Sequence, residues 1–268
     1  MQELDAIRWF TADNPGPMTL NGTNQYLLGR DEITVIDVAL PSSGNMDGIL
    51  EQVEAMGGKK VEKILLTHIH SDHCGGALAL KKRCGAKLGI SRSRSGHLGS
   101  EDFLYGEGDK ISYDGGELSV VHTPGHESGH CCFYEPAQEV LFTGDHILGY
   151  GTTVVNPPDG NMAHYMRSLE RLLELKIRLL LPGHGPHMED PYGKIREYID
   201  HRLMREGQVI QCLRDGRITI DAMVEVIYTG LSPVLVSMAG RSIAAHLIKL
   251  EGEGKVAREG QRFSLTQK

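Results

Sequence analysis

The sequence predicts an α/β protein: an αββα sandwich, with two β-sheets face to face and helices on both outer faces, followed by a small winged-helix domain. Three observations predict it. Residues 1–190 hold two successive series of strands and helices. Several of those strands run into histidine or aspartate beside a glycine, which places polar side chains along one edge. The remainder, 191–268, changes to long helical stretches and closes on a short hairpin. Sheets with one apolar face each must bury those faces together, and the outer faces then need helices.

The first series opens with strands from Trp9 to Ala12, Gln25 to Leu28 and Ile33 to Val38. A helix follows, because Ile49, Val53 and Met56 recur at helical spacing. Val61–Leu66 reads as a buried strand, and a helix runs from about Gly76 to Lys82. Short strands are expected at Lys87–Ile90, Lys110–Tyr113, Leu118–His122 and Cys131–Tyr134, with Asp114-Gly115-Gly116 as a hairpin turn. The second series starts at Val140–Phe142, continues in a helix from Met162 to Leu175 and returns as a strand at Leu179–Leu180. Leu169, Leu172 and Leu173 are that helix's core face. In the tail, Tyr192–Leu213 is a long helix, Thr219-Ile220-Asp221 caps a second, and Ser232-Pro233 starts a third running to about Glu251. Lys255 to Leu265 is a two-stranded wing around a Glu-Gly turn.

The chemistry concentrates at strand ends. His68-Ile69-His70-Ser71-Asp72-His73 packs four metal-binding side chains into six residues directly after Val61–Thr67. One tetrahedral ion rarely takes four ligands from one short loop, so the spacing suggests two neighbouring ions. Imidazole and carboxylate suit zinc, and also iron or manganese. Further candidates arrive in order: His126 in Thr123-Pro124-Gly125-His126, Asp145 in Thr143-Gly144-Asp145 and His184 in Pro182-Gly183-His184. Each neighbouring glycine permits a tight turn.

These four segments resemble the metal motifs of the metallo-β-lactamase fold superfamily, and the resemblance covers most of residues 20–190. It implies one ion on His68, His70 and His126, a second on Asp72, His73 and His184, and Asp145 bridging both. Asp37 matches an early aspartate that supports the site rather than binding metal. Asn14 to Asn24 and Gly149 to Val154 are similar to the β-lactamase-like protein 2 subgroup, whose members carry a winged helix after the metal domain. Within that group, the resemblance implies single-strand endoribonuclease activity in an animal member and thioesterase activity on carrier-bound polyketides in fungal ones. Glyoxalase II resembles this chain through Thr123 to His130 but has a different tail, and true zinc β-lactamases generally lack the bridging aspartate.

Composition narrows the setting. Hydrophobic residues make up 40% and charged residues 24%, as in an ordinary soluble protein. Apolar runs are only strand-length, so no membrane span is expected. Met1 to Asp5 lacks the basic start and apolar core of a secretory signal. Five cysteines without a CxxC pair fit reduced thiols, so the expected location is cytoplasmic. Of the net charge of −7, residues from Pro191 onward carry 12 basic and 9 acidic side chains, a net +3, leaving about −10 on the rest. An acidic body is a poor platform for long polyanions.

The expected function is therefore an enzyme, a dinuclear metal-dependent hydrolase in which a metal-bridging hydroxide attacks an ester, thioester or related bond. Its cofactors are two divalent ions, with Zn2+ first. Asp72 doubles as ligand and catalytic carboxylate that orients the nucleophile. His130, His146 and Tyr150 are candidate substrate contacts, beside Thr152 and Thr153 at the cleft mouth. Alternatives are single-strand-specific RNA cleavage, β-lactam hydrolysis, or a nucleic-acid-binding module whose Lys255, Arg258 and Arg262 meet phosphates. The expected partners are a small ester or thioester, or single-stranded RNA, with a homodimer as a further candidate and no membrane contact.

Overall fold

The computed structural model describes residues 4–40, 44–230 and 233–266. Ser232, expected to start the last long helix, lies outside the described residues, as do Met1, Gln2 and Glu3 of the stretch read for export. The chain forms two compact units. The first comprises Met1–Thr123, Gly129–Thr152 and Leu175–Tyr192, and the second Pro124–Ser128, Thr153–Glu174 and Gly193–Lys268.

The first unit holds two sheets. One has six strands: β1 (Ile7–Thr11), β2 (Asn24–Leu28), β3 (Glu32–Ile36), β4 (Lys60–Leu65), β5 (Lys87–Ser91) and β6 (Phe103–Tyr105), in that spatial order. β1 to β3 pair antiparallel, whereas β3 to β6 run parallel, so β3, β4 and β5 point their carboxyl ends to one edge. The other sheet has five strands: β7 (Lys110–Tyr113), β8 (Gly116–His122), β9 (Cys131–Glu135), β10 (Val140–Gly144) and β11 (Leu179–Pro182), ordered β11-β10-β9-β8-β7. Only β10 and β11 pair parallel there. The strand β6 was not expected, being three residues long and without alternation.

Side-chain alternation along each strand separates two cores. Tyr26, Leu28, Ile36 and Leu65 of the first sheet join Leu118, Val120, Phe133, Phe142 and Leu181 of the second in one buried cluster between the sheets. Leu27, Ile33, Val35, Ile64 and Leu88 face the opposite way. They are covered by Ile49 and Val53 of α1 (Asn45–Ala55), Cys74 of α2 (Ser71–Cys74), and Ala77 and Leu80 of α3 (Ala77–Cys84). The Asp114-Gly115 hairpin forms as expected, with Gly115 at φ 128° and Tyr113 facing Gly116.

In the second unit, α4 spans Met162–Leu172, capped by Asn161, whose side chain accepts from the His164 N–H. Leu169 and Leu172 are fully buried, but Leu173 is only half-buried because it already caps the helix. The helix α5 (Pro191–Arg214) turns Ile195, Tyr198, Arg202 and Val209 inward, while Leu203 is 51% exposed. The helices α6 (Ile220–Ile227) and α7 (Pro233–Gly252) and the hairpin of β12 (Val256–Glu259) and β13 (Arg262–Leu265) share one core. Met223, Ile243, Leu247, Leu250, Val256 and Phe263 form it. Thr219 caps α6, and Gly260 turns the wing at φ 60°. Among the described residues no helix is long and apolar enough to cross a membrane.

Candidate metal centre

Parallel pairing brings the ends of β3 and β4 side by side, and those of β10 and β11 likewise. Asp37 follows β3, Thr67 and His68 follow β4, and Asp145 and His184 follow β10 and β11. The Asp37 backbone adopts φ 61°, which a short side chain able to bond locally tolerates. Its carboxylate organises the loop. Oδ1 accepts the Thr67 N–H at 2.7 Å, while Oδ2 accepts the Thr67 hydroxyl at 2.8 Å and the His73 Nδ1–H at 2.7 Å. The Thr67 Oγ1, having given its proton to Asp37, accepts from His68 Nδ1 at 3.0 Å.

The same device recurs at the other histidines. His184 Nδ1 donates to the Gly22 carbonyl at 3.0 Å. His126 Nδ1 donates to the Val154 carbonyl at 2.6 Å, with Thr153 Oγ1 at 3.2 Å. With Nδ1 held in this way, the imidazoles of His73 and His184 turn Nε2 toward the centre.

Those two Nε2 atoms meet carboxylates. His73 Nε2 lies 3.1 Å from His184 Nε2 and 3.2 Å from Asp145 Oδ1. His184 Nε2 lies 3.2 Å from Asp72 Oδ2 and 3.3 Å from Asp145 Oδ1. Ligand atoms of Asp72, His73, Asp145 and His184 all fall within 4.8 Å of one another, as do those of His68, His70 and Asp145, while His126 belongs to the second unit. Glycine makes room: a Cβ at Gly183 would sit 2.6 Å from His73 Cε1 and 2.9 Å from Asp145 Oδ1.

Two carboxylates and two imidazole nitrogens converge here, a setting that favours positive charge. The titration directions say the same. Burial alone would lower His73, yet Asp145 and Asp37 hold its pKa well above the ordinary value. Burial likewise lowers His184, but Asp145 and the Asp72 hydrogen bond raise it overall. Burial raises the Asp72 carboxyl, and the His184 hydrogen bond with the His73 charge outweighs it and lowers the pKa. A divalent cation satisfies all four atoms at once, so nitrogen and oxygen donors of this kind fit a metal.

Within the first unit, six of the seven expected ligands thus fall into two groups sharing Asp145, with Asp72, His73 and His184 in one and His68 and His70 in the other; His126 lies in the second unit. The expected substrate residues are placed differently. His130 is fully buried, with Nδ1 at 2.8 Å from Thr123 Oγ1 and Nε2 accepting the Asp145 N–H at 3.2 Å. It steadies the backbone of Asp145 rather than facing solvent. His146 is also fully buried. Tyr150 is 61% exposed and lines a cavity of about 530 Å³ with Trp9 and His187. Sequence reasoning missed Thr67 and the Gly22 carbonyl. The position of Thr67 between strand and first histidine was a usable signal, whereas a backbone carbonyl leaves none.

A family model described as Metallo-beta-lactamase superfamily matches residues 18–184, and one described as Beta-lactamase associated winged helix domain matches residues 219–264. The chain is 35% identical over 265 residues to the beta-lactamase-like protein 2 homolog of Drosophila melanogaster, covering 91% of this chain and 87% of that protein. It is 34% identical over 262 residues to a protein of Aspergillus chevalieri named atrochrysone carboxyl ACP thioesterase, covering 93% and 82%. A solved metallo-beta-lactamase family protein from Thermus thermophilus has a TM-score of 0.82 at 23% identity, covering 98% of this chain and 99% of that one. A beta-lactamase domain protein from Burkholderia ambifaria has a TM-score of 0.84 at 22% identity, covering 99% and 93%. At such identities these two likenesses establish the fold, which is the αββα sandwich with a winged helix expected from the sequence.

Proposed function

Because the chain belongs to the metallo-beta-lactamase superfamily, we propose that it is a dinuclear metal-dependent hydrolase of ester-type bonds, thioesters foremost. The observation that carries this reading is the convergence of His73 Nε2, His184 Nε2, Asp72 and Asp145 into one cluster of nitrogen and oxygen atoms suited to a metal ion. His68, His70 and His126 would hold one ion, Asp72, His73 and His184 the other, and Asp145 both. Thioesters come first because a relative covering most of the chain is named a thioesterase.

When bound, such ions lower the pKa of water toward neutrality and polarise a carbonyl oxygen. The protein's part is orientation. Asp37 fixes His73 directly and His68 through Thr67, and the Gly22 and Val154 carbonyls fix His184 and His126. Anchored rings lose little further freedom on binding an ion, and their basicity rises. Asp72 is 23% exposed at its side chain, more open than His73, His184 or Asp145. That openness supports Asp72 as the carboxylate that would orient an attacking water and accept its proton.

The test begins with elemental analysis of protein purified without added metal, where close to two ions per chain are expected. Activity is then compared on acyl thioesters, aryl esters, a chromogenic cephalosporin and labelled RNA, with the His68→Ala, Asp72→Ala double variant as blank. Thioester and ester turnover should disappear in the blank. Active protein with one ion or none would overturn the dinuclear reading, and efficient RNA cleavage without ester turnover would overturn the substrate class.

A further inference from the structure

The cavity beside the metal centre differs from it in chemistry. It measures about 530 Å³, within the range of small-molecule sites. Trp9 on β1 and His187 stand edge to face, centroids 4.5 Å apart at 66°, and Tyr150 adds a third ring. Trp9 and Tyr150 are 36% and 61% exposed, large apolar surfaces for side chains that usually bury. Two of its polar linings are already engaged. Thr11 Oγ1 donates to Asn24 Oδ1 at 2.8 Å, and Asn24 Nδ2 donates to the Pro182 and Gly185 carbonyls at 3.0 and 2.8 Å. Burial lowers His187 to about 4, so it contributes a neutral ring at physiological pH. Glu189 adds negative charge to the lining.

The cavity also adjoins the residues that hold His184 in place. Gly22, one of its linings, is the residue whose carbonyl accepts from His184 Nδ1, and Gly185, another, directly follows His184. From this arrangement we infer that the cavity formed by Trp9, Tyr150 and His187 is an acyl subsite that selects planar aromatic acyl groups. The inference rests on the hydrolase reading for its link to turnover, but not for binding itself. Stacking between rings recognises a flat group, and few polar linings are left to reward a hydrogen-bonding one. An anionic carboxylate product is repelled by Glu189, which favours its departure after acyl cleavage.

Trp9 is the chain's one tryptophan, so its emission reports on this cavity. The full-length protein is titrated with 2-naphthamide, a neutral planar probe, and with octanamide, a flexible apolar one. Quenching by 2-naphthamide should saturate, and octanamide should produce no saturable change. Tyr150→Ala should weaken half-saturation about ten-fold, the worth of one aromatic contact. Dialysis against a chelator should leave naphthamide binding intact, because no proposed ligand lines the cavity. In turnover, the kcat/KM ratio of a 2-naphthoyl over an octanoyl thioester should fall about ten-fold in Tyr150→Ala, chiefly through KM. No saturable quenching, equal binding of octanamide, or an unchanged Tyr150→Ala titration overturns the subsite. Protein that binds naphthamide but hydrolyses nothing overturns the hydrolase reading and leaves the cavity's ring preference standing.

Discussion

Two buried polar clusters, one in each unit, pair carboxylates with histidines, yet they are built to opposite ends. In the first unit the Asp72 and Asp145 carboxylates meet the Nε2 atoms of His73 and His184 at 3.2–3.3 Å. In the second, Glu206, only 9% exposed, receives a lysine: Lys249 Nζ lies 2.7 Å from Glu206 Oε2 and 2.7 Å from Glu253 Oε1. His246 stands 3.9 Å from the same Glu206 oxygen and is kept neutral by burial. The lysine closes the second cluster with a permanent charge. In the first the carboxylates face imidazoles, whose Nε2 atoms can take up a proton or hold a metal ion. Burial of polar groups is therefore no mark of a site by itself; the sign of the charge balance separates the two. Changes in the first cluster should appear as metal content and turnover, and changes in the second as stability alone.

The sharpest break of that contrast is Asp145→Ala. It removes the one carboxylate common to both ligand groups. Metal content should fall from about two ions to one or fewer per chain, and ester turnover by about 1,000-fold or more. A variant that kept two ions would show that Asp145 is not shared. Asp37→Asn should come next. The side chain touches no proposed ion, but its three accepted hydrogen bonds fix Thr67 and His73. Outer partners of this kind govern affinity by about 10- to 100-fold, so a competition titration with a chelator should register a loss of that size. Asn keeps tolerance of the positive φ, which separates lost charge from backbone strain.

The metal cluster was largely legible in the sequence because its chemistry needs particular residue types at strand ends. Six residues from His68 to His73 announced it, and glycines beside Asp145 and His184 marked where side chains must converge. Its support was only half legible. Thr67 could have been read, but the role of the Gly22 carbonyl depends on a loop folding back over 162 residues of separation. The closed cluster left no signal at all, since Glu206, His246 and Lys249 look like surface residues of two helices. The same blindness affects packing on α5, where Arg202 is 3% exposed while Leu203 faces solvent. There the guanidinium lies over the Tyr165 ring at 5.3 Å, a contact that no apolar pattern announces.

Glu206→Gln tests the second half of the contrast. It leaves the Lys249 ammonium buried with Glu253 alone, so unfolding free energy should drop by about 2–3 kcal/mol in urea denaturation. Two ions should remain bound, and turnover should match that of the parent protein. Loss of metal on this substitution would mean that the clusters are not independent.

The smallest effect, and the finest discrimination, lies in pH. Burial raises the Glu206 carboxyl, but His246 and Lys249 outweigh it and hold the pKa at about 2, against 4.5 ordinarily. The unfolded chain therefore takes up this proton at higher pH than the folded one. The stabilisation is complete above about pH 5 and is lost as pH falls from 4.5 toward 2. His201 titrates in a different window. Burial and the neighbouring Arg202 and Arg205 lower it to about 4 from 6.5, so its neutral form stabilises the fold above 6.5 and that contribution is lost as pH falls toward 4. Parent protein and Glu206→Gln should both lose stability between pH 6.5 and 4.5, with a constant gap between their urea midpoints. Below 4.5 the gap should narrow, because only the parent still has a carboxylate to protonate. A gap that closes between pH 7 and 5 would instead make the histidines, not the Glu206–Lys249 pair, the source of the difference, and the second cluster would be open to protons as the first is to metal.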